Sequence, residues 1–250
     1  MLEFKNVSFK YGEDDYTLIK DLSFNIKQGE FVSIIGASGC GKSTVFRLIN
    51  GLEQIDGGEI SYEGQNVADQ KSFSAYMPQS DLLFPWRTIG KNISLPMEIK
   101  GVDKTLIKKR CKETLAEVGL AEYIDKYPRE LSGGMKQRVS FARTLLTDSE
   151  LFLLDEPFSA LDSLTRISMQ EWLLDQWKKF NKTVLFVTHD VEEAIFLSKK
   201  ILLIRELPVT KFEEYEIPLS YPRNREDLKK PEIIDLKEEL IQKLKQEVAL

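Results

Sequence analysis

One histidine, His189, and two cysteines, Cys40 and Cys111, are all that 250 residues offer to metal or disulfide chemistry. The cysteines stand far apart with no C-x-x-C and no Cys/His cluster, which excludes a disulfide framework and a zinc-ribbon signature and fits a reducing compartment. An excess of positive charge is also missing. With 35 Lys+Arg against 40 Asp+Glu the net charge is −5, so no footprint for duplex nucleic acid exists and no nucleic-acid partner is expected. No apolar run approaches the roughly 18 to 20 residues of a membrane helix. The opening MLEFKNVSFKYGEDD lacks the basic-then-apolar order of a signal peptide, so a cytosolic chain is expected. There is no internal repeat and no low-complexity linker. What the chain does have is 42% hydrophobic residues, enough for one large α/β domain or a domain with an inserted subdomain.

Read in order, the texture changes several times. Leu2, Phe4, Val7 and Phe9, and later Leu22, Phe24 and Ile26, alternate in short strands separated by the turn-rich YGEDDY and KQGE, which predicts an antiparallel part at the start. From FVSII a continuous apolar strand runs into a glycine turn and the helix TVFRLINGL, the opening of a parallel βα unit. Residues 81–130 read as an inserted helical segment, with helical spacing at 104–119. Buried strands resume at LFLLD (151–155) and TVLFVT (183–188), followed by ILLI (201–204), a polar hairpin-like region and a charged tail.

The stretch Gly36-Ala37-Ser38-Gly39-Cys40-Gly41-Lys42-Ser43 matches G-x-x-x-x-G-K-[ST] between a strand and a helix. Glycines let the N–H groups from Gly39 to Thr44 wrap phosphate oxygens, Lys42 neutralises β/γ charge, and the Ser43 hydroxyl is placed to ligate Mg²⁺. A plain glycine turn is the bland alternative, and the strand-before, helix-after context weighs against it. The segment predicts a nucleoside triphosphate site. Cys40 inside it reads either as a thiol with a lowered pKa, alkylated unless ATP protects it, or as a small filler.

A second apolar strand ends in Asp155 and Glu156. Beside a P-loop, Asp155 would hold Mg²⁺ through water and Glu156 would orient or deprotonate the water that attacks the γ-phosphate; alone, the pair would read as a solvated turn. His189 ends the strand TVLFVT and precedes Asp190 and Glu193, at the spacing of a capping box. A structural role at a helix start competes with a polar contact to the γ-phosphate or the attacking water, and the position at a carboxyl sheet edge favours the contact. Gln79, after the strand SAYM, could by the same placement ligate Mg²⁺ or the water.

LSGGMKQRVS (131–140) raises a different question. Ser132 and two glycines open onto a helical spacing of Met135, Val139, Ala142 and Leu145, so backbone N–H groups and a positive dipole end face outward and suit a second anion.

With the P-loop, Gln79, LSGG, LLDEP, SALD (159–162) and His189 in that order, the chain resembles the nucleotide-binding subunit of an ABC transporter over nearly its full length. Met135 stands where the usual motif is LSGGQ, a departure shared with importer ATPases of the nitrate, sulfonate and taurine type. The stretch DLLFPWRTIGKNISLP and the tail PLSYPRNREDLKKPEIIDLKEEL resemble that subgroup less specifically. The resemblance implies an α/β fold, a P-loop NTPase core of mostly parallel sheet with flanking helices, plus an N-terminal antiparallel β subdomain and an inserted helical subdomain. Within one ATPase domain, 1–80 would be P-loop core with the antiparallel part, 81–145 helical insertion with signature motif, 146–205 core completion and 206–250 a C-terminal extension. It further implies ATP and Mg²⁺ as ligands, with Tyr11 stacking on adenine. Two copies would pack head to tail, with Ser132, Gly133 and Gly134 of one binding the γ-phosphate held by the other and Asp162 running along the same interface. A second site in cis is the competing account. The implied work is solute uptake through a separate membrane permease, at the cytoplasmic face of the cell membrane, with an extracytoplasmic solute-binding protein as an indirect partner. Nitrate, sulfonate, taurine or a similar small solute would be the cargo. A soluble non-transport ATPase, such as an iron–sulfur assembly scaffold, is the rival.

Three features stay open at this level. Leu82, Leu83, Phe84 and Trp86 read as an anchor for a permease helix or as the insertion's own core. The tail spaces Leu236, Leu240, Leu244 and Val248 as an amphipathic stripe that packs on its own domain or on a partner. RNREDLKK reads as a solvated turn.

Overall fold

The structure, a computed structural model, describes residues 1–12, 16–70 and 72–248, with the side chains of 246–248 outside the described set. The chain forms two compact units, Met1–Lys71 with Lys178–Leu250, and Ser72–Trp177. The first unit opens with β1 (Leu2–Lys10), β2 (Thr17–Ile26), β3 (Phe31–Ile35), α1 (Lys42–Ile49), β4 (Gly57–Tyr62) and β5 (Gln65–Asn66). The second is built from β6 (Ser74–Met77), α2 (Ile89–Ile93), α3 (Leu95–Ile99), α4 (Lys104–Glu117), α5 (Gly133–Leu145), β7 (Leu151–Asp155) and α6 (Ser163–Phe180), whose last turn leads back to the first. There follow β8 (Thr183–Val187), α7 (Val191–Leu197), β9 (Lys200–Leu203), β10 (Glu213–Glu216) and α8 (Pro231–Val248).

In the first unit, β1 alternates buried and exposed positions and pairs antiparallel with both β2 and β4, giving the order β2-β1-β4-β5. Phe4 faces Phe24 on one side and Ile60 on the other, and the two phenyl rings stack at 4.4 Å. The hairpin β4–β5 is the element the sequence pattern does not announce. Its turn is Glu63-Gly64, both at positive φ, and a glutamate at the first position blurs the usual Asn-Gly or Asp-Gly signal. Among the expected strands, β2 begins at Thr17 rather than Leu22. Residues 13–15, part of the YGEDDY turn, lie outside the described residues.

The other strands of this unit are of a different kind. All five residues of β3 and of β8 are buried, the two run parallel, and β9 lies parallel on the other side of β3 with β10 antiparallel beyond it. Strands covered on both faces read as unbroken apolar runs, which is why FVSII and TVLFV stand out in sequence. Parallel pairing also puts the carboxyl ends of β3 and β8 at one edge, with Ile34 opposite Val187. The stripe of α8 packs on its own unit: Ile233 and Leu240 are buried with Val191, Ala194 and Ile195 of α7 and Ile201 of β9, and Leu236 and Leu244 sit against that cluster. Val248, the last member of the expected stripe, lies outside the described side chains.

The solvated turn expected at RNREDLKK is corrected at its first residue. Arg223 is buried, and its guanidinium donates to the carbonyls of Ile195, Ser198 and Leu219, each at 2.8 Å. The last carbonyls of a helix have no partner within it, and this fork supplies one to the end of α7.

In the second unit, β6 and β7 pair in parallel from Ser74 opposite Leu151 to Met77 opposite Leu154. Around the helices Ile89, Ile93, Met97, Leu115, Val139 and Ala142 are buried in one cluster. Each of the larger side chains among them, such as Ile89, Ile93 and Leu115, contributes roughly 1.5–3 kcal/mol. Among the described residues, no helix is long and apolar enough to cross a membrane.

Candidate functional site

In the first unit the chain leaves β3 at Ile35, loops through residues 36–41 and enters α1 at Lys42. Gly39 and Gly41 adopt φ of 82° and 98°, left-handed values that a side-chain-bearing residue rarely takes. A Cβ at Gly36 would lie 2.6 Å from Cys40 Sγ and 3.1 Å from Ile204 Cβ, so this turn closes only on glycine. Gly41 occupies the N-cap of α1 and, having no side chain, caps none of the helix's first N–H groups itself. Lys42 is buried, and its ammonium is held by the loop's own carbonyls, Gly36 O at 2.9 Å and Ala37 O at 2.8 Å. These are neutral partners for a buried cation, a pocket shaped for an anion. Ser38, Gly39 and Ser43 are exposed. Cys40 is buried with its Sγ 4.0 Å from Lys42 Nζ, packed as a filler of the turn.

Two further residues of this unit belong to the same edge. Tyr11 is 40% exposed, and its hydroxyl lies 3.1 Å from Thr44 Oγ1, which ties the ring to the end of the phosphate loop. His189 is exposed and leaves β8 beside the strand end that starts the loop. The expected capping box after it is half made. Asp190 Oδ1 accepts from Glu192 N–H at 2.9 Å and Glu193 N–H at 3.1 Å, but the buried Glu193 carboxylate accepts from Thr188 Oγ1, and that hydroxyl in turn takes the Asp190 N–H at 3.1 Å. The histidine therefore stands on a turn fixed from both sides.

The second unit holds the acids. Asp155 is buried at the end of β7, and Glu156 follows with φ of 44°, a left-handed conformation that a glutamate keeps only when its surroundings impose it. Tyr76 O–H donates to Asp155 Oδ2 at 3.0 Å. Gln79 Nε2 donates to Glu156 Oε2 at 3.3 Å and to Ser159 Oγ at 3.2 Å, while Ser159 O–H returns to Glu156 O at 3.0 Å. The structure thus brings Gln79, Asp155 and Glu156 together as expected and adds Tyr76 and Ser159. Ser159 opens the SALD motif, whereas Tyr76 sits in no motif and only the strand register reveals it.

The signature segment is a helix start. Ser132 caps α5 by accepting from Met135 N–H at 3.4 Å, and no acid stands in the first turn. Gly134 has a packing reason of its own, since a Cβ there would meet Thr165 Cγ2 at 2.7 Å; at Gly133 the nearest atom would be Leu161 Cδ2 at 3.3 Å. Asp162 caps the next helix through Thr165 N–H at 3.1 Å, and its hydrogen bonds with Thr165 hold the carboxyl below the usual range.

The apolar run at 82–86 divides. Leu83 is buried in the helical core, whereas Leu82 is 60% and Trp86 72% exposed, with Phe84 between. The loop's shape is imposed from within the unit: Arg143 donates to Asp81 O at 2.7 Å and Leu82 O at 2.8 Å, and Leu82 is held at φ of 44°. Burial pushes the Arg143 pKa down.

The donor set suits Mg²⁺. In the second unit the Asp155 carboxylate and the Gln79 amide offer hard oxygen donors, the kind this cation takes; the Ser43 hydroxyl of the first unit is a donor of the same kind. Among the described residues no cluster of three His, Cys, Asp or Glu side chains could hold a metal ion.

A family profile for the ABC transporter matches residues 19–159. The formylaminopyrimidine import ATP-binding protein ThiZ of Halalkalibacterium halodurans is 44% identical over 93% of this chain and 90% of its own length. The aliphatic sulfonates import ATP-binding protein SsuB of Bacillus thuringiensis is 41% identical over 83% of this chain and 82% of its own. Among solved structures, the dimeric post-hydrolysis state of the ATP-binding cassette MJ0796 bound to ADP and Pi is similar with a TM-score of 0.74 and 31% identity, over 88% of this chain and all of that one.

Proposed function

The chain belongs to the ABC transporter family, and from that premise we propose that it is the ATP-hydrolysing subunit of an importer, working as a head-to-tail pair of copies beneath a separate permease. The observation that carries this reading is the spare helix end at Ser132: a serine-capped, acid-free N-terminus with glycines, in a unit that has no phosphate loop of its own. The dimeric MJ0796 cassette with ADP and Pi bound supports it.

In this reading Gly36, Ala37, Ser38, Gly39, Cys40, Gly41, Lys42, Ser43 and Thr44 hold the β- and γ-phosphates, and Tyr11 stacks on adenine. Ser43, Asp155 and Gln79 hold Mg²⁺, which when bound draws charge from the phosphate oxygens. Glu156 orients and deprotonates the attacking water, and His189 contacts the γ-phosphate. Ser132, Gly133 and Gly134 of the partner close over the triphosphate, with Asp162 along the seam. Closure on ATP and opening after hydrolysis make the pair a mechanical switch. Residues 81–145 serve as the helical insertion, 206–250 as an extension to a core made by 1–80 and 146–205.

The exposed Leu82 and Trp86 are where a short cytoplasmic permease helix docks, since exposed aromatic anchors are what interfaces favour. That places the subunit at the cytoplasmic face of the membrane. An extracytoplasmic binding protein selects the cargo, a small polar solute of the nitrate, sulfonate, taurine or pyrimidine kind. Detergent extraction of membranes holding the tagged chain tests the assembly: a polytopic membrane protein recovered at near one-to-one ratio is expected. Recovery only from the soluble fraction with no membrane partner would overturn it in favour of a non-transport ATPase.

A further inference from the structure

The strand β6 and the residues just after it supply hydrogen-bond donors to both adjacent carboxylates at the end of β7, and one of these donors lies in no motif. We propose that Tyr76 is a positioning residue that fixes the Asp155 carboxylate for the metal of the ATP site. The proposal rests on the reading above that Asp155 serves Mg²⁺.

The geometry follows from register. In the parallel pair Tyr76 lies opposite Leu153, and Asp155 is two residues further along β7. Side chains at i and i+2 of a strand share a face, so Tyr76 and Asp155 project to the same side, and a phenol is long enough to reach the diagonal neighbour. The O–H meets Oδ2 at 3.0 Å. Ala75 and Met77, which flank the tyrosine on the opposite face, are buried and fix the strand that carries it.

The chemistry of the donor matters as much as its reach. A buried carboxylate needs hydrogen bonds to stay ionised, and Asp155 is only 6% exposed. A lysine or arginine at position 76 would supply one but would also neutralise the charge and compete with a divalent cation. A phenol donates one bond and stays neutral, so it orients the carboxylate and leaves the charge for the metal. Without it the carboxyl torsion, which has only a broad two-fold preference, is less restrained. The cost should therefore fall on metal binding, with phosphate binding spared.

Tyr76→Phe keeps the ring and removes the O–H. Binding of a fluorescent ATP analogue is titrated with Mg²⁺, and again with chelator present. A charge-assisted hydrogen bond lost from the metal-side carboxylate predicts an approximately ten-fold rise in the Mg²⁺ concentration at half-saturation, with the chelator-present affinity unchanged. Mn²⁺ paramagnetic resonance of the protein–ADP complex should show the same weakening without any turnover. Asp155→Asn must raise the Mg²⁺ requirement as well, and adding Tyr76→Phe to it should shift the midpoint less than about two-fold, because the group being positioned is gone. A wild-type Mg²⁺ midpoint in Tyr76→Phe overturns the proposal. So does an equally large shift in the Asp155→Asn background, which would mark a merely structural role. If Asp155→Asn itself leaves the Mg²⁺ requirement unmoved, the failure lies in the reading of Asp155.

Discussion

Asn92 and Phe84 exchange two hydrogen bonds: Phe84 N–H donates to Asn92 Oδ1 at 2.7 Å and Asn92 Nδ2 donates to Phe84 O at 3.1 Å. The same amide also donates to Arg87 O and Thr88 O, and the side chain is wholly buried. One asparagine therefore sets the curve of the loop that exposes Leu82 and Trp86. Asn92→Ala should lower stability by about 2–4 kcal/mol, because it strands several buried backbone groups at once. Urea unfolding of the isolated chain measures this, and an unchanged midpoint would mean that the loop holds its shape without the amide.

Trp86→Ala should behave in the opposite way. An exposed side chain whose described ring contact is Phe84, at 5.3 Å, contributes within about 0.5 kcal/mol to folding. Its loss should leave the melting midpoint and nucleotide binding intact while reducing complex yield and coupled transport. Unchanged yield and transport would remove Trp86 from the docking surface.

Glu156→Gln should separate binding from chemistry. With Gln79 and Ser159 shaping its turn, the substituted side chain keeps its place but cannot take a proton. Turnover should fall about 10²–10⁴-fold while ATP binding persists and a dimer accumulates, as sedimentation would show. Wild-type turnover would give the base role to another group.

How much of this the sequence discloses depends on how local the cause is. The strands β3, β7 and β8 are covered on both faces, so their unbroken apolar runs are visible, and the P-loop, Asp155-Glu156 and His189 are legible because each follows such a run directly. The hairpin β4–β5 is not legible, since GGEISY has one strong apolar residue and Glu63-Gly64 is an uncommon turn pair. Tyr76 was invisible for another reason: its partner is 79 residues away, and only strand register joins them. Composition is misleading at Arg223, where a charge run hides a buried side chain that bonds the carbonyls at the end of α7.

Arg223→Met is the test of that last point. The change keeps volume and removes a fork bonded to the carbonyls of Ile195, Ser198 and Leu219 and stacked 4.1 Å from the Tyr221 ring centroid. A loss of about 2–4 kcal/mol is expected, with little relief from Arg223→Lys, because a point ammonium cannot reach carbonyls that a planar fork spans. Full rescue by lysine would mean that charge alone, rather than geometry, closes the helix.

Acid should loosen the attachment of α8 to β10. Burial would raise the Glu213 carboxyl, but hydrogen bonds from Lys243 and from Tyr215 O–H, the latter at 2.7 Å, outweigh it and set the pKa below the ordinary glutamate value. The same contacts raise the Lys243 pKa, so this cation stays charged throughout the acid range. A carboxyl depressed on folding adds stability that is present above its unfolded pKa, near 4.5, and is lost as pH falls through the lower folded value. Glu213→Gln cannot titrate. Its melting midpoint should therefore lie below that of the wild type at neutral pH, and the gap should narrow as pH falls below about 4.5 and through the lower folded value. The Glu213 side chain is partly exposed and its ion pair is screened by water, so the gap will be small, and its pH dependence is the deciding feature. A difference that stays constant from neutral to acid would show that shape at this contact, and not the charge of Glu213, ties the helix down.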